Sequence, residues 1–293
     1  MAFRAGEEGE TGFFEVPPVP ITVDTHMHLF PEPLFRAIRG WFDRAGWKIP
    51  YPWRTEEVLD LAARFRVSEI WALAYAHKPG VSRDLNRWMG ETQAKHLAVR
   101  GFASVHPGDD DPVEVVREAI EDRGLWGLKL HAEVQALSVD DPRLDGVFDL
   151  LEERSLVAVL HCADAPYPAI KPNLNVDCLE RRLKKNPGLK VIVAHLGAWQ
   201  TERTLELTAD YAGLYLEVSF TRFPGAPEDP RLKFDSLGRY TDRLLFGSDF
   251  PNITFSYAGQ VKRWLELDWV RAEKEAFFGG TAKKLIDEAV SSG

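Results

Sequence analysis

Five short segments of this chain end in side chains that bind divalent cations or move protons. They are Val-Asp-Thr-His-Met-His ending at His28, Lys129-Leu-His131, Leu-Val-Ala-Val-Leu closed by His161, Val-Ile-Val-Ala closed by His195, and Leu-Leu-Phe-Gly-Ser closed by Asp249. Each metal-competent residue closes an apolar run of strand character. His26 and His28 stand two residues apart, and side chains on a strand alternate faces, so both imidazoles and Asp24 are expected to project the same way. Two imidazoles do not make a catalytic centre, because a divalent ion usually takes three protein ligands and keeps a position for water. His161 and Asp249 are the candidates that complete the set, and His195 is a further metal-competent side chain.

Bringing residues so distant in sequence to one place calls for a frame of parallel strands. Strand patterns fall at 21–28, 67–75, 99–106, 125–131, 156–161, 189–195, 214–219 and 243–249, and helical periodicity at 55–65, 83–96, 112–121, 142–154, 176–186 and 201–211. Asp111-Pro112 and Asp141-Pro142 each pair an N-cap with a proline at the first helical position. A closing helix is expected at 272–289. Strand and helix alternate throughout, and the strand count is that of the barrel, so the expected fold class is α/β, a (β/α)8 TIM barrel. One domain over 21–293 is expected, preceded by an N-terminal arm at 1–20.

The segment from 30 to 54 departs from the short-loop pattern, with Phe35, Trp41, Phe42, Trp47, Tyr51 and Trp53 crowded after the first strand. It reads either as an apolar plug or as a lid that contributes substrate contacts, since loops at the C-terminal face build barrel active sites. The loop after the seventh strand offers Arg222 and Arg231 to an anionic substrate. Glu217 and Ser219 face inward by alternation, and His131 shares a strand face with Lys129. Asp24 is expected to orient a ligand imidazole through its second ring nitrogen.

Composition narrows the classes. The chain has 293 residues, 45% of them hydrophobic, with 36 basic against 45 acidic side chains and a formal net charge of -9. That balance argues against a nucleic-acid partner, and no run approaches the ~20 apolar residues of a membrane span. The acidic, glycine-containing start lacks the apolar core of a signal peptide, so a cytoplasmic location is expected. Two cysteines, Cys162 and Cys178, are too few for a disulfide framework.

Taken together, Val23-Asp-Thr-His-Met-His, Gly127-Leu-Lys-Leu-His, Leu189-Lys-Val-Ile-Val-Ala-His-Leu-Gly and Leu245-Phe-Gly-Ser-Asp-Phe-Pro resemble the amidohydrolase superfamily. The likeness is to its amidohydrolase-related branch, which includes aminocarboxymuconate semialdehyde decarboxylase-like and resorcylate decarboxylase-like enzymes. It implies one divalent metal, zinc or else manganese, held by His26, His28, His161 and Asp249, with His195 either binding a second metal, as in binuclear relatives, or acting as acid/base and polarising group, as in mononuclear ones. In binuclear relatives a carboxylated strand-four lysine bridges two metals, a role open to Lys129; one metal, with Lys129 as a cationic site group, is the reading preferred. The resemblance also implies a homodimer.

The activity expected is hydrolysis of a C–N or C–O bond in a small molecule such as a cyclic amide, lactone or ester, by metal-activated water. The alternative is a decarboxylase acting at the same metal on an aromatic or unsaturated acid. Arginines over the mouth and an aromatic lid would suit the second. Asp24, His131, Glu217 and Arg222 are the expected substrate-side or supporting groups.

Overall fold

The computed structural model describes residues 10–162, 176–198, 200–226 and 233–291. In chain order the strands and α-helices are β1 (Ile21–Met27), α1 (Glu32–Arg44), α2 (Thr55–Arg64), β2 (Val67–Ala72), α3 (Ser82–Lys95), β3 (Val99–Gly101), β4 (Ala103–Ser104), α4 (Pro112–Glu121), β5 (Gly127–His131), α5 (Ala132–Gln135), α6 (Asp145–Glu153), β6 (Val157–His161), α7 (Val176–Lys185), β7 (Lys190–Val193), α8 (Thr201–Asp210), β8 (Leu214–Glu217), β9 (Leu244–Leu245), α9 (Tyr257–Leu265), α10 (Arg271–Glu275) and α11 (Thr281–Ser291). Strand and helix alternate as the periodicity implied, and the third strand candidate is broken at Phe102 into β3 and β4. No described helix is long and apolar enough to cross a membrane.

The described residues divide into two compact units, one from Met1–Ala72 and Val218–Ala282 and the other from Leu73–Glu217 and Lys283–Gly293. In the first, β1 and β2 pair in parallel with Ile21 opposite Val67 and Asp24 opposite Ile70, and the register shifts between Asp24 and Met27. The other edge of β1 is taken by the irregular segment 246–250. Phe246 O accepts from Thr25 N at 3.0 Å, His26 O accepts from Asp249 N at 2.8 Å, and Phe250 O accepts from His28 N at 2.7 Å.

In the second unit β4, β5, β6, β7 and β8 pair in parallel in sequence order. Every residue of β5 and β6 is buried, as in a parallel sheet covered on both faces. Their register sets His131 opposite His161 and Lys129 opposite Val159. Gly127 opens β5 because a Cβ there would lie 2.3 Å from Val157 O.

Helix boundaries follow local chemistry. Asp111 caps α4 by accepting from Glu114 N, with Pro112 at the first position. Asp141 accepts from Arg143 N, yet Pro142–Leu144 forms a 3-10 turn and the α-helix begins only at Asp145. The aromatic stretch after β1 is half helix, because Glu32–Arg44 forms α1 with Phe35 buried. The closing helix is interrupted by a π-turn, Ala276–Gly280, in which Gly279 takes φ 140°.

Candidate active site

In the first unit, β1 delivers both histidines and the turn beyond β9 delivers the carboxylate. The His26 and His28 rings lie 5.0 Å apart, centroid to centroid. His28 Nε2 sits 2.7 Å and His26 Nε2 3.6 Å from Asp249 Oδ1. His26 and His28 are buried, and the Asp249 side chain is 15% exposed, enough to leave one side open to a small molecule. Asp249 adopts φ 64°, a left-handed conformation that costs a non-glycine residue about 1 kcal/mol or more. Its backbone N–H is held on His26 O, so the same contact that fixes the turn aims the carboxylate at the imidazoles.

The donor set fits a divalent metal. A tetrahedral ion with bonds of ~2.1 Å spaces its ligand atoms roughly 3.4 Å apart, and the two separations above bracket that value. One ligand atom from each of His26, His28 and Asp249 lies within 4.8 Å of the others. The parallel stack of His28 on Phe30, centroids 5.7 Å apart, fixes one ring, and Ser219 Oγ lies 3.4 Å from His26 Nδ1.

Asp24 departs from its expected role. Its Oδ1 accepts from the backbone N–H of His26 and of Ser248, both at 3.1 Å, and Oδ2 accepts from Tyr257 OH at 2.9 Å. No imidazole is among its partners. The pairing of β1 with β2 shifts register between Asp24 and Met27, and the Asp24 carboxylate lies on backbone donors. Burial pushes that carboxyl up to about 6, against the pull of the Ser248, His26 and Tyr257 hydrogen bonds. Tyr257 is raised well above 10 by burial and by the facing Asp24 charge.

The second unit gathers the remaining histidines. His195 Nε2 lies 3.0 Å from His161 Nδ1, and the His131 ring stacks on His161 with centroids 4.0 Å apart and planes 15° from parallel. Tyr75 meets His131 edge-on at 4.9 Å. Gln135 secures that ring by accepting from His131 N and donating to Val105 O, each at 2.7 Å, while His131 Nδ1 accepts from Val134 N at 3.5 Å. That acceptance leaves the hydrogen of a neutral His131 on Nε2. His195 is not on a strand: β7 stops at Val193, and His195, Leu196 and Gly197 all take positive φ in a tight turn. His195 and Glu217 offer ligand atoms within 4.8 Å of one another. Lys129 and Glu217 are wholly buried. Burial, joined by the Cys178 charge, pushes the Cys162 thiol up to about 12, with Lys129 opposing.

Arg222 is committed elsewhere. Its Nε donates to Arg263 O at 2.6 Å, its guanidinium reaches Glu266 at 3.4 Å and lies over the Phe234 ring. Arg222, which the sequence offered to an anionic substrate, thus has partners on and just after α9. Arg231 lies outside the described residues. Tyr257 and Ser248 were missed by sequence reading. Ser248, directly before Asp249, carried the one available signal, its adjacency to a predicted ligand.

The family model for Amidohydrolase matches residues 23–287. Among solved structures, an uncharacterized TIM-barrel protein from Bordetella bronchiseptica is similar with TM-score 0.70 at 18% identity, over 92% of this chain and 99% of that one. 2,6-Dihydroxybenzoate decarboxylase from Rhizobium aligns with TM-score 0.67 at 16% identity, over 92% and 99%. A 5-carboxyvanillate decarboxylase from Novosphingobium aromaticivorans, complexed with manganese and 4-hydroxy-3-methoxy-5-nitrobenzoic acid, aligns with TM-score 0.63 at 16% identity, over 98% and 99%. No curated sequence matches. These likenesses show an α/β fold of the (β/α)8 TIM-barrel class. With its family model matched almost end to end, the chain belongs to the Amidohydrolase family and is an enzyme of the amidohydrolase superfamily.

Proposed function

We propose that this enzyme is a metal-dependent hydrolase of a small, uncharged substrate bearing a cyclic amide, lactone or ester. The observation that carries this reading is the set of buried His26 and His28 with the partly exposed Asp249, whose atoms are spaced as ligands of one divalent ion. Bound there, zinc or manganese supplies Lewis acidity that polarises a carbonyl and brings the pKa of water from ~15.7 toward ~7.

The chain's own groups do the rest. His28 and His26 bind as neutral imidazoles, with Ser219 and Phe30 restricting their rings. Asp249, partly open, takes the proton from the attacking water. His161 and His195 share one hydrogen across 3.0 Å, and a protonated His195 would become neutral on giving its proton to a leaving group, with solvent restoring it. The family resemblance implies that His161 is a further ligand, which the metal content of His161→Ala tests. His131, with its hydrogen on Nε2, is the substrate-side donor, and buried Lys129 acts as a cationic group without a bridging role.

Two observations bear on the choice between reactions. Arg222, the group that would have held a substrate carboxylate, is engaged on α9, which favours an uncharged substrate. The decarboxylase reading draws on Trp47, Phe220, Phe255 and Phe223, whose rings follow one another at 5.7, 5.1 and 4.0 Å and offer an aromatic wall, and on the activities of two of the similar structures. A panel of lactones, cyclic amides and esters beside hydroxylated aromatic acids decides it. Acid release in a pH-stat, abolished by chelation, supports hydrolysis; carbon dioxide release from the acids without hydrolysis of the others replaces it with decarboxylation.

A further inference from the structure

Among the described residues, three stretches of the first unit meet at one carboxylate. Asp24 Oδ1 takes the backbone N–H of His26 on β1 and that of Ser248 in the turn carrying Asp249, and Oδ2 takes the hydroxyl of Tyr257, the first residue of α9. Both side chains are fully buried. Ser248 reinforces the junction, its Oγ accepting from Phe250 N at 3.1 Å and lying 3.5 Å from His26 O. Tyr257 is itself immobilised: its ring stacks on Phe65 with centroids 4.9 Å apart, and its backbone N–H donates to Tyr51 OH at 2.9 Å.

Two features go beyond ordinary packing. The carboxylate oxygens contact the backbone on either side of the candidate metal ligands, one residue before Asp249 and at His26 itself, so moving Asp24 moves two ligands together. Asp24 also forms no ion pair with any described lysine, arginine or histidine; its partners are two backbone amides, the Ser248 hydroxyl and a phenol. Burying a carboxylate without a cation is costly. A divalent ion held by His26, His28 and Asp249 would supply the missing positive charge.

We propose that Asp24 and Tyr257 form a positioning pair that sets the affinity of the metal centre, Tyr257 fixing the carboxylate that holds the His26 and Asp249 backbones at ligand spacing. The inference rests on the metal reading above. Outer groups that orient ligands characteristically change metal affinity by ~10–100-fold when removed.

The test is titration of the metal-free full chain with Mn(II), beside its melting temperature, for wild type, Tyr257→Phe, Asp24→Asn and Tyr51→Phe. Tyr257→Phe removes only the hydroxyl; Asp24→Asn keeps an oxygen for the two amides and removes the charge. The expected result is Mn(II) binding weakened about 10-fold by Tyr257→Phe and ~10–100-fold by Asp24→Asn, with the metal-free melting temperature of Asp24→Asn equal to or above wild type. Tyr51→Phe disturbs the start of the same helix without touching Asp24, and should lower the melting temperature while leaving Mn(II) affinity unchanged. Wild-type affinity in Asp24→Asn overturns the pair, also if Tyr257→Phe fails to fold. Equal weakening by Tyr51→Phe and Tyr257→Phe overturns it too, by assigning the effect to helix placement. A wild-type chain that binds no Mn(II) or Zn(II) sinks the metal centre itself and the pair with it.

Discussion

Replacing Gly197 with alanine tests the turn that carries His195. Gly197 takes φ +73°, where an L side chain is strained by about 1–2 kcal/mol. The added Cβ would lie 2.1 Å from Thr204 Oγ1 and 3.0 Å from Thr204 Cβ. Thr204 cannot simply swing away, since it is wholly buried and its hydroxyl donates to Gln200 O at 3.0 Å. Breaking that bond costs about 1 kcal/mol, and overpacking a filled site typically costs about 1–3 kcal/mol. The expected destabilisation of Gly197→Ala is therefore about 3–6 kcal/mol, or on the order of 10 °C in melting temperature for a chain of this size. Calorimetry of the single variant, of Thr204→Ala and of the pair separates the terms. Thr204→Ala removes the oxygen and the methyl but leaves the Cβ contact, so the double variant should recover about 1–2 kcal/mol relative to additivity. His195 lies two residues upstream, so turnover should fall further than stability while metal content is kept. A Gly197→Ala protein that melts with wild type, or a double variant with strictly additive losses, would refute the reasoning.

Cys162, with its thiol raised from 9.0 to about 12, should resist alkylation in the native protein at pH 8–9 and react on denaturation, as read by intact mass. Because the unfolded thiol loses its proton where the native one keeps it, folding stability should fall as pH rises from about 9 toward 12, and Cys162→Ala should lessen that slope in alkaline melts. Arg182, 1% exposed, donates to Val139 O, Asn186 Oδ1, Asp141 O and Asp145 Oδ1; Asp145 keeps Lys185, so Arg182→Ala mainly leaves buried acceptors unsatisfied and should cost about 2–4 kcal/mol in urea unfolding.

The sequence placed His26 and His28 together because they stand two residues apart on one strand, and the structure sets their rings 5.0 Å apart. It placed His161 at a strand end because β6 runs straight to its last residue, opposite His131. Where the chain leaves regular dihedrals, pattern reading loses its object: His195 and Asp249 end apolar runs but sit in left-handed turns, and no hydrophobic period encodes a positive φ. Asp24 shows a related limit, since alternation assigns a face but not which backbone donors bend a short carboxylate. Tyr257 went unread because α9 was not anticipated; Gly259 interrupts its pattern, and its cap, Ser256 accepting from Gly259 N, lies inside a serine- and aromatic-rich turn. In α1, Pro33 and Gly40 amid aromatic residues disguised an amphipathic helix as a flap.

The central claim, a divalent metal held by His26, His28 and Asp249, is tested most directly by elemental mass spectrometry of protein purified without chelator, for wild type, His28→Ala and Asp249→Asn. The account predicts about one zinc or manganese per wild-type chain, little or none in either variant, and an intact mass without carboxylation at Lys129. Metal retained in full by both variants, or a wild-type chain that neither carries nor takes up a divalent ion, would contradict it.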